Sequence, residues 1–215
     1  MPLLYLVFLS LFLVIFVQLG IFGIVLEKVG LSPDSAMLLL GSTLFGSMIN
    51  LPLFTITSTA KKLTENVRPP PRLLFSHVQF FTGKIVVAIN VGGALIPVFF
   101  SLYLIFFHQL NPLQFIPAII VVSFISYIFS RPVKGLGIGM PIFIAPVTAA
   151  LVALIISPDQ SAPLAYICGT LGVLIGADLF RLKDIKQMAI PVAAIGGAGT
   201  FDGIFFTGIV AVLLA

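Results

Sequence analysis

The sequence predicts a single all-α domain, a polytopic membrane protein of about seven transmembrane helices. Three observations lead there. Of the 215 residues, 60% are hydrophobic and only 8% charged. Mean hydropathy is +1.23. Charged or proline-rich breaks cut the chain into apolar runs of helix-spanning length. An ordinary soluble domain is about 25% charged, so a chain this apolar cannot cover a water-facing surface. Disorder is excluded by the same composition.

The runs fall near 3–26, 35–57, 84–107, 113–130, 139–157, 162–180 and 188–215. Each approaches the length of about 20 residues that crosses a bilayer, the fourth and fifth being shortest. The first run is too long for a signal peptide, lacks a basic n-region and has no small-residue cleavage site, so it reads as a helix. Together the runs make one integral membrane domain over 1–215. Ten of the eleven Lys and Arg residues fall in the breaks after the second, fourth and sixth runs. Only Lys28 lies on the other side. The positive-inside rule then puts the N-terminus in the cytoplasm and the C-terminus outside. The net charge of +4 is explained by this topology signal and not by nucleic-acid binding.

The longest break, 58–83, reads as a cytoplasmic loop. Arg68-Pro-Pro-Pro-Arg72 stiffens part of it, and Phe75, Phe80 and Phe81 suggest a stretch lying in the interface. The stretch from Arg131 to Pro141, rich in Gly and Pro, reads as a re-entrant loop or a turn. Its glycines are not a phosphate loop, because no strand precedes them and no Gly-Lys-Ser/Thr follows. Cys168 reads as a small core residue, and His77 and His108 lie too far apart in sequence to suggest a paired metal site. No metal or organic cofactor is expected. No internal repeat stands out, which counts against an inverted-repeat transporter.

Most acidic residues fall in loops or at run ends, but Asp178 and Asp202 fall within the sixth and seventh runs. A carboxyl group in a span costs several kcal/mol, so each is a functional candidate. On a continuous helix over 188–215, Asp202 would lie roughly 20 Å deep, out of reach of Asp178. Pro191 and the glycines at 196, 197 and 199 are poor material for such a helix. A broken helix before Asp202 brings both carboxyls to one level near the cytoplasmic side. Two adjacent carboxyls share a proton, and such a pair activates water for attack on a peptide carbonyl. Gly199 and Gly203 leave room for a substrate backbone, and Thr200 and Asn90 are candidate substrate contacts. In a transporter the same pair carries a proton or cation, with Asn50 and Asn90 lining the path. In a third reading Asp178 is interfacial beside Arg181 and Asp202 caps a helix. Gly169, Gly172 and Gly176 form a small-residue stripe that packs the sixth run against a neighbour.

The segments Asn90–Pro97, Gly172–Phe180 and Ile195–Gly208 resemble a prokaryotic family of multi-pass membrane proteins, the domain of unknown function 1614. That resemblance implies no activity. A more distant one is to the intramembrane aspartyl proteases with a Gly-x-Gly-Asp motif: presenilin, signal peptide peptidase and prepilin peptidase. It implies Asp178 and Asp202 as the catalytic pair and a transmembrane peptide as substrate. Here Thr200 and Phe201 separate Gly199 from Asp202, Ala177 replaces the Tyr before the first aspartate, and no Pro-Ala-Leu segment occurs.

Overall fold

The computed structural model describes residues 28–59, 83–133, 137–188, 190–197 and 203–215, together with Leu9 and Val25. Among these residues the fold is helical with a small sheet at one end. Helix α1 (Pro33–Gly46) leads into strand β1 (Asn50–Thr57), and β2 (Lys84–Asn90) leads into helix α2 (Ile96–Phe107). Helix α3 (Pro112–Phe129), the hairpin of β3 (Arg131–Val133) and β4 (Gly137–Gly139), and helix α4 (Ile144–Ile156) follow. Helix α5 (Ser161–Val173) continues as a π-helical segment, Leu174–Leu179. Strand β5 (Val192–Ile195) and helix α6 (Gly203–Leu214) complete the chain.

The strands correct the all-α expectation. The run expected as one span over 35–57 is a helix only to Gly46. Pro52 lacks the N–H a helix interior needs, and Thr55, Ile56 and Thr57 are β-branched. The run over 84–107 likewise opens with β-branched Ile85, Val86, Val87 and Ile89 as β2. The run over 188–215 is divided too, into β5 and α6. Strand β2 is central, antiparallel to β1 and parallel to β5, with Val86 opposite Val192 and Ile89 opposite Ile195. The glycine-rich stretch after α3 is a short hairpin. The loop residues 60–82 and nearly all of the first apolar run lie outside the described residues.

Helix α5 is the axis. Residues 161–170 are all buried, enclosed by α2, α3, α4 and α6. Small side chains are frequent in the interior: Ala118, Ala145, Ala149, Ala153, Ala165 and Ala211 are fully buried, beside Leu104, Leu164 and Ile167. Many large apolar residues face outward, with Phe106 77%, Leu113 81% and Ile155 80% exposed. An apolar surface this extensive is unusual for a water-soluble monomer. Two helices, Pro112–Phe129 and Pro158–Leu179, are long and apolar enough to cross a membrane.

The two ends of the bundle differ chemically. At one end His108 Nε2 meets the Val29 carbonyl at 3.0 Å, Gln160 donates to the His108 carbonyl, and Ser161 donates to the carbonyl of Ala215. At the other, Ile56 of β1, Ile138 of β4 and Leu182 pack on Ile185 and Met188. Lys84, Arg131, Arg181, Lys183 and Lys186 belong to this second end, and Lys28 to the first. Arg181 closes the C-terminus of α3, donating to the carbonyls of Tyr127 and Ser130 at 2.8 Å, and pairs with Asp184 at 3.0 Å. Its guanidinium also lies over the Tyr127 ring.

The glycine stripe packs α5 against three neighbours. Gly172 and Gly176 abut Val122 and Ser123 of α3, whereas Gly169 faces α4 and α6. A methyl group on Gly176 would overlap the Ser123 carbonyl oxygen, and backbone cannot swing aside as a side chain can. Gly176→Ala is therefore expected to destabilise the protein in detergent by about 1–3 kcal/mol. The gain in helix propensity, about 1 kcal/mol, does not offset this. Gly41→Ala, which meets nothing within 4 Å, should leave the thermal midpoint unchanged or slightly raised.

Candidate functional site

Asp178 sits in the π-helical end of α5, one residue before its last. A carboxylate there faces the negative end of the helix dipole, so it needs a compensating donor. The donor comes from another element: the Gly196 N–H donates to Asp178 Oδ2 at 2.7 Å. Gly196 and Gly197 follow β5 with φ of +83° and +91°, a left-handed pair that side chains rarely tolerate. Strand β5 thus stops in a turn whose first amide is aimed at Asp178.

A second glycine turn lies against the first. Strand β2 runs through Asn90 into the π-helical turn Val91–Leu95. The Gly93 N–H donates to Asn90 Oδ1 at 2.7 Å, and Asn90 Nδ2 donates to the Ser47 carbonyl (2.7 Å) and to Asn50 Oδ1 (3.0 Å). Gly93 touches the Gly196 carbonyl so closely that any side chain on Gly93 would overlap it. Two passages of strand, Gly-Gly-Ala and helix therefore stand side by side. Val86-Val-Ala-Ile-Asn-Val-Gly-Gly-Ala94 and Val192-Ala-Ala-Ile-Gly-Gly-Ala198 show the repeat, with two extra residues, Asn90 and Val91, in the first.

Asn90 is 1% exposed and its amide is engaged on both sides. Asn50 lies beside it at the start of β1. Gly203 is the first residue of α6. Ile204 in that first turn belongs to the same buried apolar cluster as Val173, Leu174 and Ala177 of α5 and its π-helical end. Gly199, Thr200 and Asp202 lie outside the described residues. Arg181 is turned to Asp184 and the end of α3. Among the described residues no group of three or more His, Cys, Asp or Glu is placed to hold a metal ion. Buried Cys168 lies against the Ala149 and Ala165 carbonyls.

The family model that matches covers residues 44–214, from the last turns of α1 to the end of α6. The chain belongs to this family, described as protein of unknown function (DUF1614). No curated protein and no solved structure matches the chain. The matched region takes in both glycine turns, Asp178 and Asp202, so the whole arrangement is part of the DUF1614 domain.

Sequence reasoning selected Asp178 but not its donor Gly196, nor Ser47 under Asn90. The signal was present in the repeated Gly-Gly-Ala that follows two β-branched segments. Asp178→Ala removes the acceptor for a buried N–H and is expected to cost about 1–3 kcal/mol. Hydrogen exchange over 193–197 should accelerate in that variant. Asp178→Asn keeps an acceptor oxygen and should accelerate it less.

Proposed function

We propose that this DUF1614 protein is a seven-span membrane protein that hydrolyses peptide bonds in or beside the bilayer with Asp178 and Asp202. The observation that carries the reading is the chain break at β5. The Gly196 amide orients the Asp178 carboxylate, and α6 begins at Gly203, immediately after Asp202 in the sequence, with Ile204 in the same buried apolar cluster as Val173, Leu174 and Ala177. This arrangement supports a carboxyl pair at one level.

In the proposed reaction one aspartate is ionised and the other carries the shared proton. The ionised carboxylate takes a proton from water as its oxygen attacks the peptide carbonyl carbon. The protonated partner gives its proton to the leaving nitrogen, and the C–N bond breaks. Gly199 and Gly203 leave room for the substrate chain, and Thr200 is a candidate contact. The reaction draws on no metal or organic cofactor. The partners are the lipid bilayer and a transmembrane peptide.

The membrane placement draws support from the outward-facing Phe, Leu and Ile side chains and from the collection of basic residues at the sheet end. With that end in the cytoplasm, the outer edge of β1, which no described strand pairs, meets water and not lipid. The N-terminus is then inside and the C-terminus outside.

The test is reconstitution in liposomes with a panel of transmembrane peptides, with products read by mass spectrometry. Cleavage is expected to follow a bell-shaped pH profile, since a shared proton is lost at high pH and both carboxyls are protonated at low pH. Asp178→Asn and Asp202→Asn should each lower the rate at least about a thousandfold, as for other groups acting as a unit. Proton or cation flux that Asp202→Asn abolishes, without any cleavage, would overturn the reading in favour of a transporter.

A further inference from the structure

Asn90 is a fully buried amide far from α5 in sequence, yet a short physical chain joins it to Asp178. Its Oδ1 accepts from the Gly93 N–H, Gly93 lies on the Gly196 carbonyl, and the Gly196 N–H donates to Asp178. The remaining amide hydrogens of Asn90 hold the Ser47 carbonyl and Asn50 Oδ1, tying the turn to the end of α1 and the start of β1. The parallel register of β2 and β5 keeps the two glycine turns at one level.

We infer that Asn90 is a positioning residue: it sets the first glycine turn, which seats the second and so aims the Gly196 N–H at the Asp178 carboxylate. This assigns Asn90 to the support of the site and not to contact with substrate, and it rests on the reading of Asp178 as a working carboxyl. The glycines make the coupling stiff. With no side chain between them, a shift of the Gly93 backbone moves the Gly196 peptide directly, and a buried N–H left without its acceptor is costly. Truncation of Asn90 leaves both the Gly93 N–H and the Ser47 carbonyl unpaired, so the first turn relaxes.

The probe is dicyclohexylcarbodiimide, which modifies protonated carboxyl groups in apolar surroundings, with labelling of Asp178 followed by mass spectrometry at pH 7. A relaxed turn withdraws the Gly196 amide from the Asp178 carboxyl and leaves it open to the reagent, so Asn90→Ala should raise the labelling rate several-fold. Gly41→Ala should not change it. An Asn90→Ala protein that stays monodisperse, keeps its thermal midpoint and labels at the wild-type rate overturns the inference. If that variant does not fold, hydrogen exchange in the unmodified protein decides: amides over 91–95 and 193–197 should open together, and independent opening overturns the coupling. The outcomes separate this inference from the protease reading. Raised labelling without any peptide cleavage upholds the coupling and removes the protease. Cleavage lost in Asp178→Asn but unchanged in Asn90→Ala, with labelling unchanged, does the reverse.

Discussion

Every interruption of a helix inside an apolar bundle frees backbone N–H and C=O groups that must be paired within the protein. This chain breaks near 46–50, 84–95 and 190–202, and the structure depends on how those breaks are satisfied together. The pairing of β2 with both β1 and β5 absorbs much of the exposed backbone. Two side-chain oxygens, from Asn90 and Asp178, take the glycine amides that the sheet leaves over. An amide and a carboxylate thus play equivalent parts in the two passages. Only the carboxylate is also capable of proton transfer.

The helices around this sheet pack by subtraction. Alanine and glycine let the helices around α5 approach closely, with Leu104, Leu164 and Ile167 buried among them and many phenylalanine, leucine and isoleucine side chains pointing outward. In the proposed lipid setting, burying large side chains brings no hydrophobic gain, so close backbone approach and dispersion would hold the bundle. Gly172 and Gly176 make such a close contact with α3. The Ser101–Thr170 hydroxyl pair, 3.0 Å apart and buried, adds a polar link between α2 and α5.

The apolar helices and the basic breaks between them were legible in composition and spacing. Asp178 and Asp202 stand out in the sequence because a carboxyl group in an apolar run is conspicuous. The strands were not legible. Residues 50–57 and 84–90 are apolar enough to read as parts of spans, and a short apolar run has no period that separates strand from helix. The repeat was also missed, because after Gly-Gly-Ala the two passages diverge: Pro97 opens α2 in one and Asp202 precedes α6 in the other.

The sequence by itself determined the apolar character of the helices and which two acids stand out, since both follow from residue chemistry summed along the chain. Tertiary structure decided what surrounds Asp178. Its donor, Gly196, lies 18 residues away and reaches it only because the chain turns back as β5. Asn90 enters the same network through the parallel pairing of β2 with β5. Such contacts join elements with no local sequence relation, and their geometry exists only once the strands have found their register.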